Sequence, residues 1–167
     1  MASPIDIGNI KEQIRSILDG ANTTTGSPID LSLGMTSRVQ NIMKVNPEKL
    51  KLDVNLYPCL TVFIADKSIE LTGVAVNQAS AKRKCEITFN IAGFIYSDLT
   101  SDFREDSADE ECEILMENVE AVLRSYDTLN STVTWHYPTD VTYHNFQNGE
   151  ETHMRVGLMS LKASIFY

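Results

Sequence analysis

The sequence lacks any apolar run that could cross a membrane. Its longest apolar stretches, CLTVFIA at 59–65 and NIAGFIY at 90–96, fall far short of the roughly 20 residues that span a bilayer. The opening residues, MASPIDIGNIKEQ, also lack the basic start and apolar block of a secretory signal. We therefore expect a protein that is made in the cytoplasm and has no membrane partner.

Cysteine and clustered basic charge are also scarce. The three cysteines, Cys59, Cys85 and Cys112, lie far apart among apolar residues and form no CxxC pair, so we expect buried thiols rather than zinc ligands or nucleophiles. The formal net charge is −9, and no basic cluster exceeds three residues. Because phosphate contacts need many Lys or Arg side chains, this balance argues against a dedicated nucleic-acid binder.

Familiar catalytic and cofactor motifs are absent as well. The sequence contains no GxGxxG, GxxxxGK, GxSxG or HExxH, the common phosphate, nucleophile and zinc signatures. The sequence therefore predicts no cofactor and no metal centre.

Two segments that are present have the spacing of amphipathic helices. In the first, isoleucines recur from Ile7 to Ile17, and Gly20 follows where a helix could end. The second, Ser107 to Tyr126, opens with an S-x-x-E capping box formed by Ser107 and Glu110. Its apolar stripe consists of Ala108, Cys112, Leu115, Val119, Val122 and Tyr126.

Several segments are typical of strands. Cys59 to Ala65 is dense in β-branched and aromatic residues, and Ser68 to Val76 either extends that strand or forms a second one. Lys82 to Asp98 alternates, with Cys85, Ile87, Phe89, Ile91 and Ile95 on one face. Further β-type segments are Val133 to Trp135, Val141 to Phe146 and Arg155 to Tyr167, and Asn145 to His153 is typical of a hairpin turn.

The order of these elements predicts the fold class. We expect one α+β domain over 1–167, an antiparallel sheet with helices packed on one face. Residues 21–54 are interpreted as an extended arm or insertion, because 21–37 is rich in Thr, Ser and Gly and has no clear period. Such an arm would be poorly ordered in an isolated subunit, and deleting Asn22 to Ser27 would leave the monomer fold intact.

The best candidate for chemistry is TWHYPTDVTYHNF, which holds His136, Asp140 and His144. Spacings of four would align these side chains on a helix, but the β-rich composition and Pro138 argue against a helix there. In a strand, equal parity could still align them. The preferred interpretation is solvated or hydrogen-bonded histidines beside core aromatics, and the alternative is a small α+β enzyme.

Five segments in order resemble the tail terminator, or tail completion, proteins of long-tailed bacteriophages. These are the helix from Ile7 to Leu18 and the segments YPCLTVFIAD, KCEITFNIAGFIYSD, SADEECEILMENVEAVLRSY and MRVGLMSLKASIFY. The resemblance covers most of the chain and lies in the order, size and style of the segments.

The resemblance implies a structural virion protein rather than an enzyme. A homo-oligomeric ring, a hexamer, would cap the tail tube, end tube polymerisation and offer a surface to the head and neck. The implied partners are the tail tube protein, a neck or head-completion protein and a sheath protein, and DNA would pass through the lumen without sequence-specific binding. An acidic lumen would repel phosphates, which agrees with the net charge. Another neck or tail-tube component is the alternative within this class.

One charge pattern suggests a subunit interface. Lys82, Arg83 and Lys84 begin a strand roughly 45 to 50 Å long, and the acidic cluster containing Glu105, Asp109 and Glu111 follows its far end. If the following helix runs back over the sheet, the two groups cannot meet within one subunit. They are therefore either partners between subunits, as a heterologous ring requires, or solvated charges that protect a sheet edge.

Overall fold

The computed structural model describes residues 5–49, 54–72, 82–98, 105–147 and 152–167. In chain order these form helix α1 (Ile7–Thr23), strands β1 (Asn41–Met43), β2 (Cys59–Thr72) and β3 (Lys82–Asp98), helix α2 (Glu105–Arg124), and strands β4 (Trp135–Gln147) and β5 (Thr152–Phe166). Two 3₁₀ turns, Pro47–Lys49 and Val54–Leu56, lie between β1 and β2. The predicted α+β class is confirmed.

The five strands form one sheet in the order β1-β2-β3-β5-β4. Neighbours pair antiparallel except β1, which pairs parallel with β2 over only three residues, Cys59 to Thr61. The sequence did not predict β1, because three residues are too few to show a period. The predicted segments at Trp135 and at Val141 to Phe146 lie in one long strand, β4. It pairs with β5 as far as Gln147 and His153, as a hairpin requires. The tip of that hairpin, 148–151, lies outside the described residues.

Both helices pack on one side of the sheet, which we call the helix face. Alternate residues of β3, Cys85, Ile87, Phe89, Ile91 and Ile95, point to this side and are buried. The apolar stripes of α1 and α2 complete the same core. The opposite side, to which Glu86, Asn90 and Phe94 belong, carries no described α-helix, and we call it the bare face.

The helix boundaries differ from the predicted ones. The first helix does not end at Gly20 but continues to Thr23, because Ala21 extends the buried stripe and the hydroxyls of Thr23 and Thr24 bond to the Gly20 carbonyl. The second helix begins at Glu105, so Ser107 lies inside its first turn rather than at a cap. Acidic residues in the first turn favour this earlier start through the helix dipole.

The segment predicted as an extended arm is partly helix and partly a compact loop. Its residues 24–40 fold against α1 and α2, and Leu31 and Val39 belong to the core. Asp30, which is 3% exposed, accepts hydrogen bonds from the backbone of Gly26 and Ser32 and forms an ion pair with Arg38. The described residues of this segment are therefore compact rather than extended, and deleting 22–27 would remove part of this loop. Residues 50–53 lie outside the described residues.

Candidate functional site

The basic start of β3 lies at one end of the sheet, close to acidic neighbours. Lys84 bonds to Glu86 two residues along its own strand and lies opposite Glu70 of β2. The bond between Lys84 and Glu86 raises the pKa of Lys84 and lowers the pKa of Glu86. Arg83 lies beside it and exchanges backbone hydrogen bonds with Tyr167, and the side chain of Lys82 is outside the described set. The charge of Lys84 is thus already balanced within the subunit.

The acidic start of α2 lies at the opposite end of β3, as predicted. Asp109 is 3.2 Å from Arg155 Nε and 3.8 Å from Nε2 of the buried His153, which pairs with Ser97 of β3. Thirteen residues separate Ser97 from Lys84, about 43 Å at the usual rise of a strand. The acidic and basic groups therefore cannot meet within one subunit.

Two of the predicted acidic interface residues have partners inside the subunit. Asp109 is held by Arg155, as described above. Glu111 is buried and accepts a hydrogen bond from the backbone of Thr36 in the loop, so it ties that loop to α2. The side chain of Glu105 is not among those described. Contact of this group with another subunit stays a prediction.

A row of acidic residues that was not among the predicted interface residues runs along the outside of α2. Glu110, Glu113 and Glu117 are exposed at helical spacing, and within the described residues they form no ion pair. Residues three or four positions apart share one surface of a helix, so the spacing of these glutamates could have indicated the row from the sequence. This row is a better candidate for external contact than Asp109 or Glu111.

The three candidate catalytic residues do not come together. His136 pairs with Ala163, whose side chain is in the helix-face core, whereas His144 pairs with Val156 on the bare face. A bulge between Pro138 and Val141 causes this change of side by adding a residue to β4. His136 Nε2 lies 2.5 Å from the carbonyl oxygen of Tyr126, and Asp140 is exposed in the bulge. The alternative prediction, a catalytic site that combines His136, Asp140 and His144, is therefore wrong.

The thiols are buried, as predicted. Burial raises the pKa of Cys59 and of Cys112 to about 12, and it also raises the pKa of Cys85. A thiol that stays protonated at neutral pH is a poor nucleophile and a poor metal ligand. Among the described residues no group of three or more His, Cys, Asp or Glu side chains could hold a metal ion.

A cleft of about 310 Å³ with a mixed polar and apolar lining lies where α1 begins, beside the turn after α2 and the end of β5. Its lining comprises Ile5, Asp6, Asn9, Ile10, Ser131, Thr132, Ile165 and Tyr167. Asp6 caps α1 by accepting a hydrogen bond from the Asn9 backbone, so the carboxylate already has a structural role. Leu129, Asn130 and Ser131 adopt positive φ angles in the adjoining turn. The cleft offers no set of groups that indicates a reaction.

The bare face is apolar at one end and mixed at the other. At the end near Met154, Cys59, Ala92, Phe94 and Val156 form a second cluster. At the other end Trp135 stacks on Tyr137 with ring centroids 5.2 Å apart, and Lys84 lies over the Trp135 ring at 5.9 Å. The apolar cluster is buried within the subunit, whereas an exposed aromatic side chain such as Tyr137 is typical of a surface that meets another protein.

Comparison with known proteins finds likeness among solved structures. No family model matches the chain, and no curated protein matches it. Among solved structures, a chain in the virion of a native gene transfer agent particle is similar, with 8% identity and a TM-score of 0.38. The match covers 92% of this chain and 94% of that chain. No helix in the described part of the chain is long and apolar enough to cross a membrane.

Proposed function

We propose that the protein is a structural subunit of a phage-type virion that assembles into a ring, a hexamer, and caps the tail tube. The observation that supports this proposal most directly is the exposure of Tyr137 and Phe146 on the bare face, beside an apolar cluster that the subunit itself buries. A small protein that leaves such aromatic side chains exposed gains stability when a partner covers them.

In this proposal the ring ends tube polymerisation and presents a surface to the neck. Its partners are further copies of itself, the tail tube protein, a neck or head-completion protein and, in a contractile tail, the sheath protein. The role needs shape and charge rather than catalytic groups, so we propose that the protein is not an enzyme. The net charge of −9 favours free passage of DNA, because like charges repel the phosphates.

Another neck or tail-tube component is the second candidate. It would share the sheet and the ring but would add to the tube rather than end it. The separated histidines give no support to the enzyme alternative.

The test uses purified protein and a polymerising tail tube protein. Native mass spectrometry and electron microscopy should show a closed ring, and adding the ring to growing tubes should give shorter tubes that carry one ring at an end. Rings that enter the tube along its length would favour the second candidate. A protein that stays monomeric at high concentration and leaves tube length unchanged would contradict the proposal.

A further inference from the structure

We propose that the outer edge of β4 in one copy pairs with the outer edge of β2 in the next copy, so that one sheet continues around the ring. This inference rests on the proposed ring and names the surfaces that close it. Both surfaces belong to the same chain, so the partner is a second copy.

Each side of the sheet ends in an open edge. β4 is the last strand of the order, and no described strand pairs with its outer side. On the other side β1 covers only Cys59 to Thr61 of β2, and no described strand pairs with the outer side of β2 from Val62 to Thr72. Open edges present backbone donors and acceptors that can pair with another strand.

Exposed apolar side chains concentrate on these two strands. Ile64 and Ile69 of β2 are 40% and 53% exposed, although their cross-strand partners in β3, Phe89 and Cys85, are fully buried. The helices therefore cover β3 but leave the edge of β2 open. On β4, Tyr137 and Phe146 are 43% and 58% exposed. A strand added at either edge would bury these side chains against its own.

The strand directions favour a contact between unlike edges. β2, β3, β5 and β4 alternate in direction, so β4 runs opposite to β2. A sheet that continues from copy to copy keeps these directions, and β4 then meets the next β2 in the antiparallel arrangement. Because the two edges differ, each copy offers one β4 edge and one β2 edge, and contacts between unlike edges can close a ring.

Irregular points restrict how the edges can pair. β2 has a bulge between Ile64 and Asp66, and β4 has one between Pro138 and Val141. Bulges and proline at an edge discourage unspecific pairing, and they limit the registers in which two edges fit. These irregularities are compatible with pairing to one specific edge and disfavour non-specific aggregation.

The test places a lysine on each edge. Ile69→Lys and Phe146→Lys should each raise the apparent dissociation constant of the ring by about tenfold or more, because a charge must be buried at the new ladder. Leu33→Lys and Phe166→Lys are matched controls, since these residues are 43% and 50% exposed but lie in the loop and on an interior strand. The controls should change the constant by less than about twofold. Sedimentation velocity and native mass spectrometry give the constants, and circular dichroism confirms folding.

Mixing the two edge variants tests whether the edges are unlike. The Ile69→Lys copy keeps an intact β4 edge, and the Phe146→Lys copy keeps an intact β2 edge. At a concentration below the raised dissociation constant, an equimolar mixture should therefore form a one-to-one heterodimer, whereas each variant alone stays monomeric.

The remaining outcomes separate this inference from the proposed function. Rings that form normally from either edge variant would overturn the edge contact and leave the ring proposal standing. A dimer of one variant alone would overturn the pairing of unlike edges, and equal loss in the control variants would overturn the role of the edges. A wild-type chain that forms no ring at any concentration would overturn both proposals.

Discussion

At the scale of single residues, two glycines set how closely α2 approaches the sheet. Gly93 and Gly157 lie opposite each other in β3 and β5, and Met116 of α2 fills the space above them. A Cβ added at Gly157 would lie 2.4 Å from Met116 Cγ and 3.3 Å from Cys112 Sγ. Non-bonded carbon atoms do not approach to 2.4 Å, so the position of α2 depends on the absence of a side chain at Gly157.

Gly157→Ala should destabilise the fold. The clash with Met116 outweighs the better strand propensity of alanine, and overpacking of a core typically costs about 1–3 kcal/mol. The free energy of unfolding in urea measures the loss, and a double-mutant cycle with Met116→Ala should show strong coupling.

Gly20→Ala is the control for that change, and the opposite sign is expected. Gly20 lies inside α1, and an added Cβ meets nothing within 4 Å. Alanine should therefore stabilise the helix by about 0.5–1 kcal/mol. An equal loss of stability in both variants would show that the contact with Met116 does not decide the result at Gly157.

The predicted charge contact between subunits can be tested without disturbing pairs inside the subunit. Arg83→Glu should weaken assembly if the basic start of β3 meets an acidic surface, and Glu113→Lys on the outside of α2 should partly restore it. Lys84→Glu is unsuitable, because it would place a carboxylate beside Glu86 and Glu70. Native mass spectrometry at low salt gives the result. Normal rings from Arg83→Glu would leave only the protective role at the sheet edge.

Much of the residue-scale detail could not be predicted from the sequence. Buried faces of long strands follow from alternation, so the side of Phe89 was predictable. The bulge in β4 was not, and it moved His144 to the other side from His136. The role of Glu111 depends on a loop 75 residues away in sequence, which no local pattern indicates.

At the scale of elements, periodic segments were predictable and the loop was not. Both long helices and the strand Lys82–Asp98 follow from apolar spacing. For β2, composition predicted Cys59 to Ala65, and its continuation to Thr72 was one of two alternatives. The loop 24–40 has no apolar period, because its core residues Leu31 and Val39 are far apart in sequence and side-chain hydrogen bonds hold the rest. Ser32, Asn22 and Arg38 bond to one another or to nearby backbone, and Asn118 of α2 donates to the Leu31 and Leu33 carbonyls.

Asp30→Asn should loosen this loop. Both carboxylate oxygens accept from donors, Gly26 and Arg38 at one and Ser32 and Arg38 at the other, so an amide would place an NH₂ against a donor. Leaving a buried group without its bond costs about 1–3 kcal/mol. Urea unfolding measures the cost, and hydrogen exchange should locate it in 24–40.

Asp127→Asn is the matched control for the loop. Asp127 is exposed in the turn after α2, and the same substitution there should change stability by less than about 0.5 kcal/mol. A similarly small effect of Asp30→Asn would show that the loop contributes little to the fold, as an independent arm would.

At the scale of the whole molecule, acid affects both net charge and the paired carboxylates. The sequence isoelectric point is about 4.7, so lowering the pH from 7 first reduces the repulsion from the charge of −9. Below that point the chain becomes positive and repulsion returns. The paired carboxylates lose their charge in the same acid range, so the two effects act together there.

We therefore expect stability to hold from pH 8 to about pH 5 and to fall steadily below it. The bond from Arg15, with Lys44 nearby, lowers the pKa of Glu12 from 4.5 to about 2, and the bond from Arg38 lowers the pKa of Asp30. Such carboxyls bind protons more readily in the unfolded chain, so their contribution is present above the ordinary pKa and is lost as the pH falls toward 2. Urea midpoints between pH 7 and pH 2.5 measure the decline. It should be shallower in Asp30→Asn, in which the most buried of these carboxylates is absent, and a midpoint that is equal at pH 6 and pH 3 would contradict the stabilising role of these ion pairs.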